Sequence, residues 1–371
     1  MGMPDDSRYM AEALALAQRA AGRTSPNPLV GAVIVAHGVV VGRGLHPRAG
    51  EPHAEIFALR EAGERARGAT LYVTLEPCNH VGRSGPCTEA LIAAGVRRVV
   101  AAMVDPDPQV NGSGLARLRE ADLMVDVGTL EDQARRVNEF FIKHRRTGLP
   151  FVTLKWAMSL DGKIAVARGA ATSITGEDAR RFVHELRNIY DAVLVGVQTV
   201  LADDPLLTCR LPADCLPAPR NPVRIIVDSR LRTPLTARVV IGASQVQTLI
   251  VTTAAAPSER VESMRRAGVE VLIQDHADGQ VDLRALAQEL GRRGLLSVLI
   301  EGGGTVNAAA LEAGIVDKVI ALIAPRLIGG SQAPTPIDGS GLSGAGGFMS
   351  LQDACVTRLG NDIAIEGYVA A

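Results

Sequence analysis

His53-Ala54-Glu55, Pro77-Cys78 and Cys87 are the residues of this chain whose types and spacing best suit chemistry. One imidazole and two thiolates are the donor set of a catalytic zinc site, where three protein ligands leave a fourth position for water. Bound zinc lowers the pKa of that water from ~15.7 toward ~7. Glu55, two residues past the histidine, is placed to move protons rather than to hold the ion. Each residue also has an ordinary reading, His53 as a helix cap and the cysteines as small buried apolar groups. The ordered combination of H-x-E, a strand and then P-C favours the metal, and helix N-termini at these positions favour thiolates.

This order is that of the H-x-E…P-C-x-x-C signature of zinc deaminases. The chain departs from it, because eight residues rather than two separate Cys78 from Cys87. The insert from Asn79 to Pro86 must loop out if both sulfurs are to reach one ion.

A second group lies far along the chain. Gly302-Gly303-Gly304 follows an apolar run and precedes Thr305-Val306-Asn307-Ala308, which reads as a helix start. Backbone N–H groups at such a junction, with the helix dipole, can cradle a phosphate that glycines allow to approach. The triplet is not the G-x-G-x-x-G fingerprint, so a Rossmann assignment is unsupported. Alone, it is equally a flexible turn.

The elements that must position these residues follow from periodicity. In the first half we expect a helix over 6–21 behind an Asp cap, and a hairpin of 29–36 and 39–44 turning at His37-Gly38. Helices follow over 53–67, 86–94, 114–121 and 130–143, with strands over 70–75, 97–103 and 124–127. The run Arg145-Arg146-Thr147-Gly148-Leu149-Pro150 is the best boundary, giving domains 1–148 and 149–371. The second half has expected strands over 151–157, 192–195, 223–227, 248–251, 269–273, 297–300, 317–323 and 362–369. Its expected helices cover 176–189 and 282–291 and begin again after Gly304. Residues 327–350, with seven Gly and two Pro, read as a long loop. Strands separated by helices indicate α/β layers in both halves.

Composition limits the partners. The 371 residues carry 39 Lys+Arg against 40 Asp+Glu, and the first 148 carry 18 against 17, so neither half offers a basic track for a polyanion. Aromatics at 3% leave few stacking platforms for nucleic acid. No apolar run approaches the ~18 residues of a membrane span. The acidic start at Asp5-Asp6, with Glu12 interrupting the apolar stretch, argues against a signal peptide. Five cysteines, an odd number, argue against a disulfide framework, so a cytoplasmic protein is expected.

Pro26-Asn27-Pro28-Leu29-Val30-Gly31, Gly50-Glu51-Pro52-His53-Ala54-Glu55 and Leu75-Glu76-Pro77-Cys78-Asn79-His80…Gly85-Pro86-Cys87 closely resemble the bifunctional riboflavin-biosynthesis deaminase/reductase family. In that family the longer insert between the cysteines is normal. Lys155…Ser159-Leu160-Asp161-Gly162-Lys163, Thr199 to Arg210 and Ile226-Val227-Asp228-Ser229-Arg230 resemble the same family's reductase half.

The resemblance implies a cytidine-deaminase-like α/β/α layered domain followed by a dihydrofolate-reductase-like α/β domain. It implies zinc-dependent deamination of a diaminopyrimidinone bearing a ribosylamino 5′-phosphate, then NADPH-dependent reduction of the ribosyl group to ribityl. His53, Cys78 and Cys87 would hold zinc and Glu55 would shuttle protons, with Asn27, His46 and His80 as candidate substrate contacts. Ala157, Ser173, Thr199, Asp203, Ser229 and 303–309, among them Gly303, Gly304, Thr305, Val306 and Asn307, match the family's NADP contacts. Ala171, Arg187, Leu207, Arg210 and Glu301 match its substrate contacts, and Lys155 is a candidate contact to the ribose. Ala171 and Ser173 depart from the family, which often has Ser and Trp there. The expected assembly is a homo-oligomer, a dimer or a tetramer.

Two other readings fit less of the chain. A nucleic-acid-editing deaminase needs the basic track that is missing. A second half acting only as a dimerisation scaffold would suit the departures at Ala171 and Ser173.

Overall fold

The computed structural model describes residues 6–80, 85–107, 110–170, 172–215, 218–274, 279–339, 341 and 348–370. Ala171 therefore lies outside the described residues. The chain divides into two compact units, Met1–Gly148 and Leu149–Ala371.

In the first unit α1 (Asp6–Gln18) precedes β1 (Gly31–Ala36), β2 (Val39–Leu45), α2 (Ala54–Ala62), β3 (Thr70–Val73) and α3 (Cys87–Ala93). Then come β4 (Arg98–Ala101), α4 (Ser113–Glu120), β5 (Met124–Val127), α5 (Glu131–Val137) and α6 (Glu139–Thr147). The sheet order is β2-β1-β3-β4-β5. β1 is antiparallel to both neighbours, while β3, β4 and β5 are parallel. The C-terminal ends of β2 and β3 therefore share one edge, which is where α2 and the Pro77-Cys78 segment begin. The β1–β2 turn is made by His37 and Gly38, at φ 52° and 75°, the left-handed pair that matches hairpin twist. Tyr9, Met10, Ala13, Leu14 and Ala17 form the buried face of α1, as their spacing predicts. Asp6, the first residue of α1, binds Arg98 at 2.8 and 2.9 Å and accepts from the Tyr72 hydroxyl at 2.7 Å.

The single helix expected over 130–143 is two. Asn138 breaks it at φ −108° and ψ 20°, and its side chain is bonded to both backbone groups of Leu29, at 2.8 and 2.9 Å. A long-range amide clamp overrides helical periodicity here. The helix expected over 53–67 likewise ends early, and Gly63–Ala66 continues it as a 3₁₀ turn.

The second unit runs β6 (Phe151–Ser159), α7 (Glu177–Ile189), β7 (Ala192–Gly196), α8 (Val197–Asp203), β8 (Val223–Val227), α9 (Arg238–Ile241), β9 (Thr248–Thr252) and α10 (Ser258–Arg266). It continues with β10 (Glu270–Ile273), α11 (Leu283–Arg292), β11 (Ser297–Ile300), α12 (Gly304–Glu312), β12 (Lys318–Ala324), β13 (Leu351–Leu359) and β14 (Asp362–Val369). The nine-stranded order is β10-β9-β8-β7-β11-β6-β12-β14-β13. The strands from β10 to β12 are parallel, and β14 and β13 add antiparallel pairs. Alternate residues enter opposite cores: Leu194 and Ile225 pack with Leu286 and Leu311, whereas Val193 and Ile226 pack with Val261 and Met264. A sheet covered on both faces explains the continuous apolar runs that marked these strands.

Periodicity missed α8, α9, α10 and β13. α8 is seven residues, α9 is four, and α10 buries only Val261 and Met264. β13 is an edge strand with every interior residue exposed, so its sequence has no buried alternation to read.

Candidate active sites

The first site is assembled at the shared edge of β2 and β3. Cβ atoms on Gly42 and Gly44 would strike the carbonyls of Ala58 and Ala54, so only glycine lets α2 lie this close to β2. His53 takes the N-cap position of α2 with extended backbone, and its ring makes no capping hydrogen bond. The ring faces the cysteines instead: Nδ1 stands 3.4 Å from Cys78 Sγ and 3.3 Å from Cys87 Sγ. Ligands 25 and 34 residues apart in sequence thus share one point. Bonds of about 2.0–2.3 Å in a tetrahedral zinc centre set its ligand atoms about 3.3–3.8 Å apart, so the three residues fit the ion. They are the one such group of His, Cys, Asp and Glu found among the described residues.

Electrostatics at the site follow from these contacts. A hydrogen bond from Cys87 and the nearby His53 ring hold the Cys78 thiol well below its ordinary range. Its bond to Cys78, followed by burial, keeps Cys87 protonated until a cation displaces the proton. Burial pushes the carboxyl of Glu55 up to about 7, against its own backbone N–H and the charge on His53. Glu55 Oε2 is buried with no hydrogen-bond partner among the described residues. A proton carrier poised near neutrality, with an open lone pair, suits general acid–base work.

Two of the three candidate substrate residues cluster with this centre. Pro52 O lies 3.1 Å from His46 Nδ1, and Asn27 Nδ2 lies 3.1 Å from His46 Nε2. Nδ1 donating and Nε2 accepting satisfies both bonds with a neutral ring, and burial lowers the His46 pKa to match. The ring meets His53 edge-on, with centroids 5.4 Å apart. His80 is exposed beside residues 81–84, which lie outside the described residues. Sequence reasoning overlooked Glu76, whose buried carboxylate accepts backbone N–H bonds from Asp105, Gly112, Gly114 and Leu115. It ties the loop after β4 to the Pro77-Cys78 turn; its place beside that motif was the available signal.

The second site is a cleft of about 720 Å³ at the C-terminal ends of β6, β11, β7 and β8. Parallel sheets place ligands at this edge. Lys155, Ala157, Thr199, Asp203, Ser229, Glu301, Gly303, Gly304, Thr305 and Val306 all line it. A Cβ on Gly303 would stand in open space, so bare backbone faces the cleft at the start of α12. Two buried polar atoms, Trp156 Nε1 and Asn307 Oδ1, have no partner among the described residues. The unmet Trp156 donor in the cleft wall suits a polar ligand. The floor is an ion cluster: Glu301 accepts from Lys155 Nζ at 2.9 Å and from Arg187 at 2.6 and 3.0 Å. Burial opposes its charge, but Arg187 and Lys155 together hold its carboxyl well below the usual range.

Comparison with known proteins decides the family. Residues 150–365 match the model described as the RibD C-terminal domain, and residues 3–103 match the cytidine and deoxycytidylate deaminase zinc-binding region. The chain is 43% identical over 370 residues to the riboflavin biosynthesis protein RibD of Synechocystis sp., covering 99% of this chain and 97% of that one. The chain belongs to the RibD family. An Acinetobacter baumannii RibD structure superposes with TM-score 0.88 at 39% identity, over 99% of each chain. A Thermotoga maritima structure titled a diaminohydroxyphosphoribosylaminopyrimidine deaminase/5-amino-6-(5-phosphoribosylamino)uracil reductase superposes at 0.84 and 35% identity, over 98% of this chain and 99% of that one.

The remaining RibD-type positions fall outside the cleft lining. Arg187 has its Nε and Nη2 engaged by Glu301 and donates Nη1 to Thr208 O at 3.2 Å, which makes it part of the buried cluster. Leu207 is buried in one of the cores at φ 54°. Arg210 is exposed, and its backbone N–H donates to His184 Nδ1 at 3.2 Å. Ser173 meets Arg180 at 3.3 Å through its hydroxyl and Arg326 at 3.2 Å through its carbonyl. Asn307 turns Nδ2 to Pro336 O at 2.8 Å.

Proposed function

We propose that residues 1–148 are a zinc-dependent pyrimidine deaminase and residues 149–371 an NADPH-dependent reductase, acting in that order on a ribosylaminopyrimidine 5′-phosphate in riboflavin synthesis. The observation that carries the first half is the convergence of His53, Cys78 and Cys87 beside the buried carboxyl of Glu55. His53, Cys78 and Cys87 would hold a zinc ion, which would supply acidity to a water near Glu55. As the water oxygen bonds to the amino-bearing carbon, Glu55 would take a proton from it and deliver that proton to the neighbouring ring nitrogen. Glu55 then carries the water's second proton to the departing ammonia, leaving a carbonyl where the amino group stood. The neutral His46, fixed by Asn27 and Pro52, holds the substrate on the open side, with His80 at the rim.

In the second half NADPH, when bound, would supply a hydride to C1′ of the ring-opened ribosyl imine, whose nitrogen takes its proton from solvent. The chain's task is placement. Ala157, Thr199, Asp203, Ser229 and residues 303–309 hold the cofactor, with Ser173 at its edge. Arg210 and the Arg187–Glu301–Lys155 cluster, with Leu207 behind them, set the substrate. The cleft and the unmet Trp156 Nε1 in its wall support catalysis over a scaffold role. In this reading the enzyme works in the cytoplasm without nucleic acid, as a dimer or tetramer. The exposed Val356 and Ile363 on the β13–β14 hairpin suit self-association.

The deciding experiment pairs metal analysis with an ammonia-release assay. Glu55→Gln keeps zinc and loses ammonia release by roughly 10²–10⁴-fold, while Cys87→Ser loses zinc. Near-normal turnover by the Gln variant would refute the proton-shuttle role.

A further inference from the structure

Leu206 to Arg210 form neither helix nor strand, yet side chains from separate parts of the second unit hold their backbone. The buried Arg224 of β8 donates to Leu206 O at 3.3 Å. Arg187 of α7, already bonded to Glu301, donates to Thr208 O at 3.2 Å. Asn221 Oδ1 accepts from Cys209 N–H at 3.0 Å, and His184 Nδ1 accepts from Arg210 N–H at 3.2 Å. Between these bonds Leu207 is locked into a core at φ 54°. The segment is irregular but fixed, and it presents its last side chain from an anchored backbone.

That last side chain is itself untethered. Arg210 is exposed, and its guanidinium makes no hydrogen bond or ion pair among the described residues. Partial burial and the positive charges of Arg187 and Arg238 lower its pKa, against the charge of Glu301. A cation standing among cations is a place where an anion is welcome.

His184 is the anchor bonded to Arg210 itself. It lies one turn before Arg187 on α7, and Cys209 Sγ donates to His184 O at 3.4 Å, so segment and helix are joined twice at this point. The bond to Arg210 requires an unprotonated Nδ1. Burial first, then Arg187 and Arg210, bring the His184 pKa down to about 4, against Glu301 and the Thr208 backbone. At neutral pH the ring is uncharged, with Nδ1 open as an acceptor.

Resting on the reading above that Arg210 contacts the phosphorylated substrate, we infer that His184 is a positioning residue whose Nδ1 holds the backbone of Arg210 so that the guanidinium meets the substrate's 5′-phosphate. The ring acts through Arg210 and touches no substrate in this role. A neutral acceptor suits the task, because an N–H group at the same point would face the Arg210 N–H as a second donor.

Steady-state reduction by the full-length protein tests this, with the deaminated ribosylaminopyrimidine 5′-phosphate and NADPH varied in turn. Asparagine carries Oδ1 as many bonds from Cα as histidine carries Nδ1, so His184→Asn keeps the acceptor and His184→Leu removes it. The Leu variant should show a KM for the phosphorylated pyrimidine raised roughly tenfold, with kcat changed by no more than about threefold. Its KM for NADPH should stay within about twofold, which reports that the cleft is intact. In the Asn variant the substrate KM should stay within about threefold of that of the unmodified protein. An unchanged substrate KM in the Leu variant overturns the inference, and so does an Asn variant as impaired as the Leu one. A Leu variant that loses affinity for NADPH and substrate alike also overturns it, because the residue then supports the fold at large. Arg210→Gln judges the underlying reading separately: a raised substrate KM keeps it whatever His184 does, and an unchanged one removes both.

Discussion

Glu301 sets the charge of its neighbourhood: one buried carboxylate faces Lys155 and Arg187, so the cluster keeps a net positive charge. His184 registers that excess. Burial first, then Arg187 and Arg210, lower its pKa to about 4. The folded protein therefore binds fewer protons there than the unfolded chain, whose histidine titrates near 6.5. The stability this confers is complete above about pH 6.5 and falls as pH drops from 6.5 toward 4. Since His184 is only partly buried, the loss should be about 1 kcal/mol. Denaturant midpoints at pH 7 and pH 4.5 check it: His184→Gln should lose less stability on acidification than the unmodified protein, and equal losses would sink the argument. At this scale the zinc triad was legible in the sequence because ligand chemistry restricts residue type and order. The Arg187–Glu301 pair was not, since the partners lie 114 residues apart and either could have been a surface charge.

Elements decide whether the right residues reach one point. α2 carries His53 and Glu55, and its distance from β2 is fixed by Gly42 and Gly44. Gly44→Ala forces its methyl against the Ala54 carbonyl, one residue from both. We expect a loss of about 1–3 kcal/mol together with weaker zinc retention against a chelator. A variant with an unchanged midpoint and unchanged zinc affinity would show that α2 is not held by this contact. The expected helices and the hairpin were legible where one face is buried, as in α1. Segments whose form is dictated from outside were not: Asn138 leaves its helix to clamp Leu29, and β13 forms on an exposed edge through pairing with β14.

Across the whole molecule, two compact units imply two sources of stability. Zinc held at His53, Cys78 and Cys87 would link β3 to α2 and α3 in the first unit, whereas a dinucleotide in the cleft would contact β6, β7, β8, β11, α8 and α12 in the second. A ligand stabilises the unit that binds it by RT ln(1 + [L]/Kd), about 2.7 kcal/mol at a hundredfold excess over Kd. Calorimetric melting of the full-length protein should therefore show two ligand-specific responses. Chelation of zinc should lower one transition and leave the other in place, and saturating NADPH should raise the second and leave the first. If both treatments move a single transition together, the two units unfold as one and the separation of their chemistry is not matched by a separation of their energetics.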